Sequence, residues 1–271
     1  MIITGDNQNE YSFSFAERAY IGATDSQGYS TINNQSVLDQ QSAYSLQFQH
    51  IIADRLQAAV KTSLVQKQIR KQNRFENESG LGDIELQSSF EFLPEYTYSA
   101  YKPRGFVYLK GTMPTSHSLY NSNSSLFTDV RGSGLYSISL GSFFIKHLSS
   151  WTLKSGAEAQ HLFGKTFNDV NLESYQKFYL PFGIAYSNQN WPITLGVNST
   201  FNYQTPKVLT GSINSTSDKE YFWELSTFVN WTINREETLG LSLSDSSLIG
   251  KNINSSLYRT IGLSYTFADP I

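Results

Sequence analysis

The sequence predicts an all-β chain: a 12-stranded antiparallel up-and-down transmembrane β-barrel with short periplasmic turns and longer extracellular loops. Three observations predict it. Large apolar residues recur at every second position over most of the 271 residues, as a strand with one greasy face requires. Charged residues make up only 16% of the chain, below the roughly 25% of ordinary soluble domains. Mean hydropathy is nevertheless negative, at -0.35, because Ser, Asn, Gln, Thr and Gly fill the gap. Finally, long and short connections alternate between the striped segments, the pattern of barrels with external loops and tight periplasmic turns.

The first strand begins at Tyr11-Ser-Phe-Ser-Phe15, with Tyr11, Phe13 and Phe15 on one face. A long polar loop from Thr24 to Gln41 leads to strand two, Ser42 to His50, with Tyr44, Leu46 and Phe48 outward. Ile51 to Arg55 reads as a tight turn. Strand three, Leu56 to Gln66, puts Leu56, Val60 and Leu64 outward and Gln57, Lys61 and Ser63 inward. Lys67 to Ser79 reads as a charged loop. Strand four then alternates Ile84, Leu86, Phe90 and Phe92 with Glu85, Gln87, Ser89 and Glu91. After a medium turn, strand five runs from Arg104 to Thr112. Its two faces are similar in hydropathy, and Lys110 is placed inward together with Phe106 and Tyr108.

Met113 to Arg131 is a second long polar loop. Strand six, Gly134 to Ile145, faces Tyr136, Ile138, Leu140 and Phe144 outward, and Lys146 to Ser150 turns. Strand seven, Trp151 to Phe163, carries Lys154, Glu158 and Gln160 inward. Gly164 to Glu173 is a loop before strand eight, Gln176 to Ser187. Asn188 to Asn190 makes a tight turn into strand nine, Trp191 to Tyr203. Thr205 to Asp218 is a long loop, and strand ten, Lys219 to Thr232, faces Trp223, Leu225, Val229 and Trp231 outward. Strand eleven is Thr238 to Ser244. Strand twelve closes the chain, with Ile261, Leu263, Tyr265 and Phe267 alternating with Gly262, Ser264 and Thr266.

An open sheet of twelve strands would expose two edges, and closure removes them. In water the apolar rows would need a second sheet, and the opposite face should be rich in Lys and Glu. Instead that face carries small polar residues and scattered single charges, which suits an enclosed lumen. Trp151, Trp191, Trp223 and Trp231 fall near strand ends, where aromatic belts sit. With an even strand number, both termini are expected on the periplasmic side of a bacterial outer membrane. No linker interrupts residues 1–271, so a single domain is expected. Met1-Ile-Ile-Thr-Gly-Asp6 lacks the basic and apolar regions of a secretory signal, so an exported chain is expected to be the mature form with an added or retained Met.

The inward charges are the candidate functional residues: Lys61, Glu85, Glu91, Lys110, Lys154, Glu158, Lys177 and Glu224. Such charges either pair into a network that stiffens the barrel or form a constriction that filters solutes by charge and size. Cysteine is absent, which excludes disulfide and thiolate chemistry. The four His show no metal spacing; His117 reads as a solvated loop residue, and no cofactor is expected. A net charge of -3 without a basic run gives no reason to expect nucleic acid.

The segments Ser79-Gly-Leu-Gly-Asp-Ile-Glu-Leu86, Leu109-Lys-Gly-Thr-Met-Pro-Thr115 and Gly132-Ser-Gly-Leu-Tyr-Ser-Ile-Ser-Leu-Gly141, with the turn Ala53-Asp-Arg-Leu56, carry a likeness. Over about residues 42–145 the chain resembles outer-membrane barrels of the phenol-degradation meta-pathway, or transporter-like, family. The family's Leu-Pro-Thr-Gly strand end reads Met113-Pro-Thr-Ser116 here, so its Gly is missing. The resemblance implies passage of small, often hydrophobic or aromatic compounds across the outer membrane, and it carries over no substrate residue. Gly80 and Gly82 suit close backbone approach, and Asp83 can bind loop amides.

The expected function is therefore a non-enzymatic channel or transporter working by passive diffusion. The expected partners are outer-membrane lipid or lipopolysaccharide, the barrel-assembly machinery during biogenesis, and a small solute; the barrel is expected to be a monomer. The alternatives are an adhesin or structural barrel with an occluded lumen, and an outer-membrane lipid hydrolase. The hydrolase needs a Ser–His–Asn triad, for which only His147 and Ser149 have the spacing. Ser150 and Trp151 follow them, where the outer-membrane phospholipase motif has Asn-Gly.

Overall fold

The computed structural model describes residues 7–33, 37–188, 190–212 and 214–270. The N-terminal Met1 to Asp6 and the centre of the predicted turn at Gln189 lie outside the described residues, as do residues 34–36 of the first long loop.

Twelve long strands of the described residues form one closed antiparallel ring. They are β1 Asn7–Thr24, β2 Val37–Ala53, β3 Leu56–Lys71, β4 Ile84–Leu93, β5 Arg104–Met113 and β6 Ser137–Leu148. The second half comprises β7 Trp151–Leu162, β8 Tyr175–Ser187, β9 Ile193–Gln204, β10 Glu220–Thr232, β11 Glu237–Asp245 and β12 Ser256–Pro270. Each strand pairs with its sequence neighbours, and β12 closes onto β1 in the register Tyr11↔Phe267, Phe13↔Tyr265, Phe15↔Leu263. Closure at odd-to-odd register keeps both apolar rows on the outside, because a slip of one residue would turn every side chain to the other face.

The alternation of the sequence becomes the two faces of the wall. Leu46, Leu109, Leu140, Phe182, Leu195, Leu241 and Leu263 all lie exposed on the outer surface, with no protein covering them. Hydrocarbon satisfies such a surface at no cost, whereas water would charge about 25 cal/mol for each Å². Trp151 packs against Tyr186 with the rings tilted and 5.0 Å between centroids, at the end of the barrel that holds the termini and the short turns. By the rule for this fold that end is periplasmic. Strand five is oriented as its Lys110 required: Phe106 is fully buried inside while Leu109 is exposed outside.

Several loop assignments are corrected. The charged segment from Lys67 is not a loop. β3 continues to Lys71 and pairs with a further strand, Arg74–Leu81, to make a hairpin that rises from the extracellular rim. The apolar row changes face here: Leu64 is exposed outward, whereas Val65 and Ile69 are buried on the inner face with Lys67 between them, so the outward stripe ends although the strand does not. Strands one and two are longer than their apolar cores, and Ser30–Ile32 folds back on β1. β2 runs to Ala53, which confines the turn to Asp54 and Arg55. Lys146 lies within β6 rather than in the turn, held by Glu95 at 2.6 Å and by the Lys102 carbonyl at 3.0 Å. The loops predicted at 164–173 and 205–218 form a small extracellular sheet of Lys165–Phe167, Val170–Leu172, Val208–Gly211 and Ser215–Thr216. Strands of two to four residues are too short to show a period.

Candidate functional site in the barrel lumen

The inward residues of β5, from the periplasmic end upward, are Arg104, Phe106, Tyr108 and Lys110. Tyr108 pairs in register with Gly141 on β6, and Gly141 with Glu158 on β7. A Cβ at Gly141 would stand 2.3 Å from the Tyr108 ring. The missing side chain therefore lets the ring lie flat across β6. From there its hydroxyl donates to Glu158 Oε2 at 2.7 Å. Lys110 reaches the other carboxylate oxygen, Oε1, at 2.7 Å. The same row continues around the wall: Tyr179 on β8 pairs with Glu158 in register and donates to Gln160 Oε1 at 3.0 Å, and Gln160 donates to Ser137 at 2.8 Å.

A cavity of about 570 Å³ adjoins this network. Glu85, Gln87, Lys110, Lys154, Glu158 and Asn230 supply its charged and amide surface, His147 joins them, and Tyr108, Phe143, Ile145 and Phe228 are among its apolar lining. Phe228 repeats the device seen at Tyr108, because a Cβ at Gly196 would stand 2.2 Å from its ring. Thus four of the eight candidate residues, Glu85, Lys110, Lys154 and Glu158, line one space.

The other four lie elsewhere. Glu91 forms a two-point contact with Arg104 nearer the periplasmic end, Nε to Oε1 at 2.7 Å and a terminal nitrogen to Oε2 at 3.1 Å, a strong and directional geometry. Lys61 stands opposite Glu85 in register. Lys177 sits between Gln160 and Gln204. Glu224 is half-buried and in register with Thr200. Sequence reading missed Arg104 as the partner of Glu91. It also missed Glu220, which accepts from Gln204 at 3.1 Å. Both sit at strand ends, where alternation gives little guidance.

Above the cavity, the three motif segments meet. Asp83 accepts from the Ser116 hydroxyl at 2.6 Å and amide at 3.3 Å through Oδ1, and from the Ser133 amide at 3.0 Å through Oδ2. Thr115 donates to the Gly82 carbonyl. A Cβ at Gly80 would collide with the Arg131 guanidinium, and one at Gly132 with Asp83 and Ser116. Loop 114–136 thereby lies against the inner face of the rising hairpin, where Lys67 donates to the Phe127 carbonyl at 3.3 Å. Glu76 accepts there from Ser124, Ser125 and the Leu126 amide, and these bonds, led by Ser124, hold its carboxyl below the usual range. At Asp129 burial pushes the other way, but bonds from Ser122, the Asn123 amide and His117 outweigh it and leave the carboxyl lowered. His117 is therefore tied to Asp129 at 3.3 Å rather than simply solvated.

Leu135, Leu162, Phe167, Leu172 and Tyr175 are buried together beside Tyr120 and Leu209, so an apolar core joins the loops at the extracellular mouth. The His147–Ser149 pair has no triad geometry. His147 Nδ1 meets Thr152 at 3.0 Å, and Ser149 holds a left-handed turn at φ 53°.

No family model matches the chain, and no curated protein matches it. Solved structures do. An outer-membrane channel from Pseudomonas putida F1 superposes with a TM-score of 0.76, covering 99% of this chain and 100% of that one at 13% identity. The transport unit of the autotransporter AIDA-I from Escherichia coli gives 0.54 over 96% and 90% at 8% identity. The translocator domain of the autotransporter NalP from Neisseria meningitidis gives 0.51 over 97% and 89% at 8% identity. The chain thus has the fold of an outer-membrane β-barrel.

Proposed function

We propose that the protein is a passive channel of the bacterial outer membrane for small solutes with an apolar or aromatic body, with both termini periplasmic. The observation that carries this reading is the cavity of about 570 Å³ inside the barrel, where glycines hold the Tyr108 and Phe228 rings against the wall. A barrel filled only for rigidity gains nothing from rings pressed aside; a pathway gains width and an apolar lining. The Lys110–Glu158 pair would set the narrow zone. The likeness to an outer-membrane channel supports the reading. Lipid or lipopolysaccharide would cover the outer face and the barrel-assembly machinery would insert the chain, which acts as one monomeric unit.

Single-channel recording of the refolded protein in planar bilayers tests this. Discrete conductance steps, with solute uptake into liposomes, are expected; a silent bilayer together with impermeable liposomes sinks the reading. A second reading, a structural barrel with an occluded mouth, is favoured by the apolar loop core around Tyr175. It predicts that silent outcome.

A further inference from the structure

We infer that the lumen holds a binding site for a monocarboxylate with an aromatic body, and that Lys154 is the cation that receives the carboxylate. This rests on the channel reading and names the solute class that the pathway would favour.

The argument is one of charge and space. The nearest acid along its own strand, Glu158, is already engaged by Lys110 and by the Tyr108 hydroxyl, both at 2.7 Å. Lys154 itself lines the cavity with Ile145 and Gly183 as its cross-strand neighbours, and Thr152 and Gly156 two residues away on its own face. None of the four is acidic, the other acid of the cavity, Glu85, stands opposite Lys61 in register, and no ion pair among the described residues reaches the ammonium group. An unpaired cation in a confined space is costly unless something compensates it. Gly183 leaves the ground beside the lysine bare.

The surroundings select the anion. Thr194 lines the same cavity, and its hydroxyl is suited to donate to a carboxylate oxygen that the ammonium leaves free; Thr152, also on the lining, has its hydroxyl against His147 Nδ1 at 3.0 Å. Phe143 and Phe228 supply aromatic faces. At about 570 Å³ the space lies within the range of small-molecule sites, roughly 300–1,000 Å³. A small inorganic anion would leave those faces unused, and a neutral hydrocarbon would leave the lysine unpaired.

The test is equilibrium binding of benzoate and of its neutral isostere benzamide to the refolded barrel in detergent, by titration calorimetry. Benzoate is expected to bind at least about tenfold more tightly than benzamide, roughly 1.4 kcal/mol. Lys154→Met should remove that preference, and Lys154→Arg should keep it. Equal binding of the two compounds by the native protein overturns the inference, even if Lys154→Met fails to fold. So does retention of the preference in Lys154→Met. The channel reading fails separately: benzoate preference with no conductance in bilayers would leave a binding site and sink the pathway.

Discussion

The Tyr108 hydroxyl donates to the Glu158 carboxylate at 2.7 Å although a whole strand lies between them. The bond exists because the strand between offers Gly141 at that level. Three residues from three strands, none near the others in sequence, thus act as one element of the lumen wall.

Tyr108→Phe should leave the barrel folded but cost about 1.5–3 kcal/mol, the worth of a hydrogen bond to a charged group. Gly141→Ala acts differently. Its methyl would occupy the place of the ring, but the ring is a free end and can swing into the lumen. The displaced ring gives up its bond to Glu158, so we expect a stability loss at least as large as for Tyr108→Phe, together with a clear drop in conductance. Urea unfolding in lipid vesicles and bilayer recording on both variants check this; unchanged conductance in Gly141→Ala would contradict it.

Lys110→Met and Glu158→Gln should each destabilise, and the double variant should cost less than their sum. Both side chains are mostly buried, so removing one partner strands the other. A double-mutant cycle should give a coupling of about 1–3 kcal/mol. Additive effects would mean that the pair is solvated and does not hold the constriction.

How much of this was legible follows from where the information sits. Period-two alternation is local, so the twelve strands and most outward rows could be read directly, whereas β5, with two faces alike in hydropathy, could be oriented only by its Lys110. Asp83 could be read as a residue that binds loop amides, because Asp beside Gly at a strand entry has few other uses. Its partners Ser116 and Ser133 could not be read, since they lie about 33 and 50 positions away in sequence. The same holds for Tyr108 with Glu158, which meet only through a register fixed by all the neighbouring strands. The Lys165–Phe167 hairpin and the rising hairpin at Arg74–Leu81 were missed for a different reason. They project beyond the membrane, where both faces meet water or loops and no apolar stripe is required.

Asp83→Ala should loosen the loop from Thr115 to Ser133, because it removes the acceptor that four backbone or hydroxyl donors share. The expected cost is about 1–3 kcal/mol, local to the extracellular end. Limited proteolysis should cut this loop in the variant and spare it in the native barrel. Equal resistance would show that the apolar core around Tyr175 holds the loop alone.

Acid should release the same loop late. The Glu76 carboxyl is lowered by the Ser124 hydroxyl first and by Ser125, Leu126 and Thr128 after it, and Asp129 is lowered despite its burial. A lowered folded-state value means that the stabilisation is complete above the unfolded carboxylate range, about pH 4, and is lost as pH falls through the folded value. Amide protection factors over residues 122–131, measured against the intrinsic exchange rate at each pH, should therefore stay high at neutral and mildly acidic pH and fall only below that range. Release in mildly acidic buffer, with both groups still ionised, would contradict the assignment.

The chain has no cysteine, so single cysteines can be placed one by one along β12 without background. The central claim is that alternate residues meet hydrocarbon while their neighbours line the interior. An environment-sensitive thiol dye at Ile261, Leu263 and Tyr265 in refolded proteoliposomes should be blue-shifted and quenched by brominated lipid. At Gly262, Ser264 and Thr266 it should be insensitive to lipid quencher and reached by small water-soluble reagents. Quenching that fails to alternate, or that alternates in the opposite phase, would contradict the account.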